Sequence, residues 1–148
     1  MPANLLDKAK MQVFHHEVNY AHFQDCAVIC QFYCYNYEHM AETLSGVSGV
    51  EYDIHDELVM SARAQTLARL FNMREGFSAA DYTLPKRVMK AFTAGPLAGI
   101  EITEERFTEA KRRFYELMKW DAETGAPTDA CLRELELKQI ATFLTAQP

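Results

Sequence analysis

The chain has 148 residues, of which 49% are hydrophobic, and a formal net charge of -6. This composition predicts one globular domain over residues 1–148 rather than a disordered chain. The acidic balance and the scattered basic residues argue against nucleic acid or an anionic membrane as a partner. No apolar run reaches the roughly 18 residues of a membrane span, and no signal peptide is visible. Four cysteines without a secretory signal predict reduced thiols in the cytoplasm.

The first predicted helix runs from about Leu5 to Phe23, with Asn4 as its N-cap. The next stretch, Asp25–Tyr37, is nearly all apolar or aromatic after its first residue. A run that is apolar on all sides is normally buried on all sides. Asp25 is then expected to cap a helix, to be paired, or to contact a ligand.

Two further helices are predicted before the middle of the chain. A short helix, or an extension of the previous one, covers about Glu38 to Leu44. Asp53 is the predicted N-cap of a third helix over about Ile54 to Glu75. Its predicted inner face consists of Leu58, Ala62, Leu67, Leu70 and Phe71, whereas the arginines Arg63, Arg69 and Arg74 are expected to point elsewhere.

Residues 76–102 show no clear periodicity and are expected to form a long irregular loop with one helical turn over 88–92. A loop of this length is uncommon unless it binds something or packs against another domain. Thr103 is the predicted N-cap of the next helix, and Thr128 is that of the last. About five helices and no substantial sheet make the predicted fold a compact all-α domain.

One stretch joins the third helix to the irregular loop and carries a motif. It reads Arg-Leu-Phe-Asn-x-Arg-Glu-Gly-Phe from Arg69, and after a spacer Asp-x-x-Leu-Pro-x-Arg from Asp81. Gly76 suits a helix C-cap, because glycine takes a positive φ without a Cβ clash. A capped helix and a proline turn explain the glycine and the proline. They do not explain the charged residues around them.

This motif resembles the C-terminal domain of the tungsten-pterin aldehyde ferredoxin oxidoreductase family. Upstream, the stretch from Asp25 to Cys30 resembles the family's Asp-x-x-Gly-Leu-Cys motif, with Val28 in place of the glycine and Ile29 in place of the leucine. Downstream, Trp120-Asp121, Gly125 and Pro127-Thr128 resemble its Gly-Trp-Asp and Gly-x-Pro-Thr signatures. The resemblance covers about residues 8–141.

The resemblance implies roles for three residues. In that family, the aspartate of the motif hydrogen-bonds a pterin and the cysteine is one ligand of a [4Fe–4S] cluster. Asp25 and Gln31 thereby correspond to positions beside the pterin, and Cys30 corresponds to the cluster ligand. A carboxylate accepts from pterin N–H groups, and thiolates are the usual cluster ligands. The β-branched Val28 disfavours the positive φ that a glycine supplies at this turn.

The chain lacks the Cys-x-x-Cys-x-x-x-Cys run that supplies the other three cluster ligands in the family. One thiolate cannot hold a four-iron cluster. The resemblance therefore implies a C-terminal domain, fragment or split subunit of an enzyme that oxidises aldehydes to carboxylic acids and passes the electrons to ferredoxin. Its implied partners are the cofactor-bearing domains or subunit and ferredoxin. The isolated chain is expected to be inactive and to carry neither tungsten-pterin nor cluster.

Two other interpretations stay open. His22, Cys26, Cys30 and Cys34 recur every four residues, so on one helix neighbouring members would be close enough to share a metal such as zinc. The cysteines are equally compatible with small buried hydrophobes. The chain would otherwise be a non-catalytic helical module. If the chain works within a larger enzyme, the apolar residues around Cys30 are expected to be partly exposed or covered by a second copy in a homodimer; they are Val28, Ile29, Phe32 and Tyr33. The alternative is that residues 25–34 lie in the domain's own core.

Overall fold

The computed structural model describes residues 6–145, and the regular elements in this range are helical. They are α1 (Lys8–Cys26), α2 (Tyr37–Ser48), α3 (Ile54–Arg74), a 3-10 turn (Ala79–Asp81), α4 (Glu104–Leu117), α5 (Asp129–Glu134) and α6 (Lys138–Thr145). The all-α class is confirmed, with six α-helices within the described range. No helix in residues 6–145 is long and apolar enough to cross a membrane.

Helix α3 lies at the centre of the packing. Helices α1, α2 and α6 all contact it, α4 packs against α1, and α5 packs against α6. The main core cluster consists of Tyr115, Met118, Trp120, Cys131, Leu135 and Leu137. The indole N–H of Trp120 donates to Thr66 Oγ1 of α3 at 3.4 Å, so the cluster is joined to the central helix.

Side-chain caps decide where the helices begin. Asp53, Thr103 and Thr128 each accept a backbone N–H from the first turn, which confirms the three predicted caps. The predicted cap Asn4 lies outside the described residues. Helix α1 begins at Lys8 and is capped by Asp7, whose carboxylate accepts from the Lys10 N–H at 2.9 Å.

Helices α1, α3, α4 and α5 end in the Schellman motif. In this motif the N–H of a residue with positive φ and the N–H of the residue after it each bond to a carbonyl of the helix's last turns. At α3 this residue is Gly76, with φ 90°. Its N–H reaches the Met73 carbonyl at 3.0 Å, and the next N–H, of Phe77, reaches Asn72 at 2.9 Å. The predicted glycine cap is confirmed. At the other three ends the residue is Val28, Lys119 or Glu136, with φ 58°, 58° and 55°.

The last predicted helix is divided in two. Glu136 ends α5 with a positive φ, and the N–H of Leu137 bonds the Leu132 carbonyl at 2.7 Å. The chain changes direction at this turn, and the Leu137 side chain after it is fully buried in the core. Helix α2 is longer than predicted, because it continues to Ser48 before Gly49 ends it at φ 74°.

The irregular character of residues 76–102 is confirmed, apart from the 3-10 turn. The ammonium of Lys111 on α4 donates to the carbonyls of Ala79 at 2.8 Å and Tyr82 at 3.3 Å. This start of the loop is thereby attached to α4. The predicted helical turn over 88–92 does not form, since the Val88 N–H closes a tight turn on Pro85 at 2.8 Å instead.

Candidate functional site

Residues 27–36, here named the exit segment, connect the end of α1 to the start of α2 and lie on the surface. Val28 is 91% exposed and Phe32 is 96% exposed, so the alternative in which this apolar run lies in the domain's own core is wrong. The Schellman turn at Val28 ends α1 and gives the chain a new direction. Nothing in the part of the chain that the structure describes covers these two side chains.

The turn at Val28 keeps the backbone of a glycine although the residue is β-branched. The N–H of Val28 bonds the Asp25 carbonyl at 3.2 Å, and that of Ile29 bonds Gln24 at 2.9 Å. The left-handed conformation costs an L-residue roughly 1–2 kcal/mol. The two hydrogen bonds and the open space around the exposed side chain allow it to persist. The replacement of the motif's glycine therefore leaves the turn intact.

Asp25 and Gln31 contact each other at the surface. The amide Nε2 of Gln31 donates to Asp25 Oδ1 at 3.0 Å, and both residues are exposed. Asp25 was expected to cap a helix, to be paired, or to contact a ligand, and in the structure it is paired with Gln31 and does not cap a helix. A carboxylate beside an amide offers acceptors and a donor to a planar ligand with N–H and C=O edges. Cys30 lies between them in sequence and is also exposed.

The cysteines at 26, 30 and 34 do not share a helix, because α1 ends at Cys26. All three thiols are free and exposed, whereas Cys131 is buried in the core. Within residues 6–145, no group of three or more His, Cys, Asp or Glu side chains is placed to hold a metal ion. The metal site suggested for His22, Cys26, Cys30 and Cys34 on one helix is therefore not formed within the described residues, and Cys30 is an exposed free thiol.

Two tyrosines attach the exit segment to the helices. The hydroxyl of Tyr20 on α1 donates to the carbonyl of Tyr35. Tyr37, the first residue of α2, stacks on His16 with ring centres 4.9 Å apart and donates to the His16 carbonyl at 3.2 Å. These contacts hold the end of the segment that leads into α2 on α1, and its other end continues directly from α1. The middle of the segment, which includes Phe32, is exposed.

Glu57 of α3 is buried close enough to these tyrosines for its charge to raise their pKa values. Burial, with a smaller effect of Asp53, raises the pKa of Glu57 to about 7. Neither carboxylate oxygen has a hydrogen-bond partner among the described residues. Burial, with the charges of Glu17 and Glu57, raises the pKa of Tyr37 to about 12. Glu57 is consequently part-protonated near neutral pH.

A cavity of about 610 Å³ lies between α1, α3, α4 and the irregular loop. Its walls are mostly apolar and include Phe14, Val18, Leu84, Phe107, Phe114 and Trp120. Helix α3 contributes Arg69, which is only 4% exposed, so the prediction that this arginine points away from the interior is wrong. Periodicity alone placed its charge on the outer face. The motif that begins at Arg69 was the one signal that singled it out.

Arg69 is held by the loop between α4 and α5. Its Nε donates to the Gly125 carbonyl and its Nη2 to the Thr124 carbonyl, each at 2.8 Å. Gly125 has φ 65°, and a Cβ there would lie 2.6 Å from Cζ of Tyr115. Only glycine fits this close approach. The glycine of the downstream signature is therefore needed to bring this loop against Arg69 and Tyr115.

Other residues of the motif that begins at Arg69 make contacts with the irregular loop or with each other. Asn72 Nδ2 donates to the Tyr82 hydroxyl at 3.0 Å, and Cζ of Arg69 lies 4.8 Å from the centre of the Tyr82 ring. Arg74 contacts Glu75 at 2.8 Å and stacks on Phe71, at 4.6 Å from Cζ to the ring centre. Arg69, Asn72 and Tyr82 are thus residues of the cavity wall, whereas Arg74 and Glu75 pair with each other and are not among its described lining residues.

A family model described as aldehyde ferredoxin oxidoreductase, domains 2 and 3, matches residues 2–137. A comparison with curated proteins gives no match. The matched range contains the exit segment, the stretch that begins at Arg69, and the turn between α4 and α5. It includes the great majority of the chain. The chain therefore belongs to the aldehyde ferredoxin oxidoreductase family.

Proposed function

We propose that the chain is a C-terminal helical domain, fragment or split subunit of an enzyme that oxidises aldehydes to carboxylic acids and passes the electrons to ferredoxin. It acts together with cofactor-bearing domains or a subunit of the same family. The observation that carries this proposal is the surface formed by the end of α1 and the exit segment, where Asp25, Cys30 and Gln31 are all exposed. The exposed apolar side chains of Val28 and Phe32 belong to the same stretch of chain. Exposed apolar surface next to ligand-type groups is typical of a face that another domain covers.

The described residues fit part of a cofactor site. Three exposed free thiols, of which Cys30 is the one at the motif's cysteine position, and one carboxylate–amide pair are available, and no set of three metal ligands occurs within residues 6–145. Asp25 would accept a pterin N–H, while the amide of Gln31 keeps its carboxylate in place. Cys30 would supply one thiolate ligand of the iron–sulfur cluster, and the partner would supply the remaining ligands. The partner therefore has to hold most of both groups.

Each residue of the segment has a physical task in this arrangement. When bound, the tungsten-pterin supplies the redox chemistry that converts an aldehyde to an acid, and the cluster transfers the electrons. Val28 and Phe32 are the side chains that close the face against water. The turn at Val28 orients Cys30 and Gln31 relative to Asp25 at the end of α1. We place the protein in the cytoplasm, where free thiols such as Cys30 stay reduced.

The test is anaerobic co-expression with a family subunit that carries Cys-x-x-Cys-x-x-x-Cys, and then size-exclusion chromatography and iron and sulfide analysis of the complex. We expect a complex with stoichiometric cluster. Cys30→Ser should lower its cluster content, because a hydroxyl replaces a thiolate ligand. Cys34→Ser is the matched control, an exposed cysteine four residues away, and should leave the cluster content unchanged.

Two results would contradict the proposal. The first is a complex whose cluster content is the same with Cys30→Ser and Cys34→Ser. The second is the absence of any complex, together with a cluster bound by the chain alone. A second candidate, a non-catalytic homodimer through the exit segment, is favoured by the same exposed apolar residues. It is tested by the dependence of the melting temperature on protein concentration.

A further inference from the structure

The cavity between α1, α3, α4 and the irregular loop is separate from the proposed cofactor face. Asp25, Cys30 and Gln31 are not among the described residues that line it. Its volume of about 610 Å³ falls inside the range of small-molecule sites, roughly 300–1,000 Å³. The cavity is therefore large enough for a ligand of its own.

The formal charges on the cavity wall have one sign. Lys10, Arg69 and Lys111 line it, and none of the described lining residues is Asp or Glu, although the whole chain carries a net charge of -6. Arg69 is the most deeply buried of the three. No ion pair joins it to a carboxylate in the part of the chain that the structure describes. A buried cation without a counterion is unfavourable, so this wall is complementary to an anion.

Two buried polar atoms in this wall have no hydrogen-bond partner among residues 6–145. They are Nη1 of Arg69 and the hydroxyl of Tyr115. The Tyr115 ring centre lies 5.9 Å from Cζ of Arg69, so the two groups are neighbours. An unsatisfied buried donor is unfavourable, so a ligand that accepts from it is favoured. Burial raises the pKa of Tyr115 despite the opposing charge of Arg69, which leaves its hydroxyl protonated at neutral pH.

We propose that this cavity binds an amphiphilic monocarboxylate, with its apolar body against the aromatic wall and its carboxylate drawn to Arg69 and Tyr115. Phe14, Phe107 and Phe114 remove the body from water, which favours binding in proportion to the apolar area buried. The carboxylate supplies the missing counterion. One head group is enough, because Arg69 and Tyr115 contribute the two unpartnered atoms of this wall and they are neighbours. The inference does not depend on the proposed oxidoreductase function.

The experiment is a titration of the full chain with octanoate at pH 8. Binding is monitored by the fluorescence of Trp120, the sole tryptophan of the sequence and a residue of the cavity wall, and by calorimetry. Octan-1-ol and octylamine serve as probes of the same chain length with a neutral and a cationic head. Octanoate is expected to bind about tenfold more tightly than either. Equal binding of the alcohol, or no binding of any of the three, overturns the proposal.

Variants locate the head group. Tyr115→Phe keeps the ring and removes the unpartnered hydroxyl, and Arg69→Met removes the charge; each should weaken octanoate binding several-fold while leaving octan-1-ol unaffected. Arg69→Met also loses the bonds to Thr124 and Gly125, so its folding is checked by circular dichroism. If it does not fold, Tyr115→Phe decides. Lys138→Met, a cation paired with Asp129 outside the cavity, is the control and should bind octanoate as wild type does.

Vesicles of phosphatidylglycerol distinguish a free carboxylate from an anionic lipid surface. The chain is expected to stay in the supernatant when the vesicles are sedimented. Association with vesicles but not with octanoate would overturn the proposal. So would octanoate binding that is the same in wild type, Tyr115→Phe and a folded Arg69→Met, because the cationic wall would then have no part in recognition.

Discussion

The ends of α1 and α4 have the same backbone geometry and opposite surroundings. Val28 and Lys119 both have φ 58°, and in both places the next N–H bonds back to the last turn. After α4, Trp120 is buried against Tyr115 with ring centres 6.0 Å apart. After α1, the chain continues into the exit segment, where Phe32 is 96% exposed.

This comparison separates local from tertiary causes. The Schellman motif needs only hydrogen bonds within six consecutive residues, so it forms at both helix ends whatever surface lies nearby. The burial of the next aromatic side chain depends on whether another surface is present to receive it. At α4 the surface comes from α3 and α5, whereas at α1 our proposal assigns it to another domain.

The largest difference in stability between the two helix ends should appear when the aromatic residue that follows each end is truncated. Trp120→Ala is expected to lower the free energy of unfolding by roughly 3–5 kcal/mol, because it leaves a cavity in the main core. Phe32→Ala, at an exposed site, should change it by less than about 0.5 kcal/mol. Urea unfolding of both variants measures the difference. Similar losses in the two variants would show that the exit segment is packed in the isolated chain.

The next effect concerns pH, because the region near the exit segment contains a buried acid. The pKa of Glu57 is about 7 in the folded chain, against an ordinary value of 4.5. A carboxyl with a raised folded pKa contributes stability that is complete below the unfolded pKa and is lost as pH rises through the folded pKa. Stability should therefore fall between about pH 4.5 and pH 7 by an amount on the order of 3 kcal/mol.

Glu57→Gln isolates this contribution. The variant should match wild type at pH 5 and be more stable at pH 8, as measured by urea unfolding at both values. Glu51→Gln, which alters an exposed glutamate, is the control and should show the wild-type pH dependence. His15, whose pKa is lowered by burial and by His16, contributes in the opposite direction, so the quantity to use is the difference between the two variants. A Glu57→Gln variant that keeps the full loss of stability at pH 8 contradicts this assignment.

A smaller effect is expected from glycine at the two helix ends. Val28→Gly and Lys119→Gly should each raise the free energy of unfolding by up to about 1 kcal/mol, since glycine takes the left-handed conformation without a Cβ clash. The gain should be larger for Val28, because its side chain is β-branched. Thermal unfolding of both variants tests the order. Val28→Ala keeps a Cβ and should give little of the gain, and destabilisation by Val28→Gly would mean that the valine side chain makes contacts in the isolated chain.

The smallest expected change is in the dependence of the melting temperature on protein concentration. If the exit segment pairs with a second copy, the melting temperature should rise with concentration, as binding to the native state requires. Phe32→Asp should abolish this rise by placing a charge in the interface, whereas Glu51→Gln should leave it unchanged. A melting temperature independent of concentration, with a monomer in sedimentation velocity, argues against the homodimer.

Helix positions and their caps could be predicted from the sequence because the interactions that set them are local. Asp53, Thr103 and Thr128 bond to N–H groups three residues away, and Gly76 satisfies carbonyls of its own last turn. The residues that resemble the family motifs were likewise visible, and the family itself is confirmed. The pairing of Asp25 with Gln31 was not visible, since it depends on the path of the exit segment.

Tertiary structure alone decided which side chains are inside. The composition of the apolar run after Asp25 is compatible with a core position and with an uncovered face, and its side chains at 28, 32 and 33 are exposed. Helical periodicity predicts that Arg69 points outward, whereas it is buried. The apolar character of a side chain sets the free energy that is released when it leaves water. It does not determine whether the fold provides a neighbouring surface that covers the side chain. Nε and Nη2 of Arg69 donate to two loop carbonyls 56 and 55 residues away, and no local pattern encodes these two bonds.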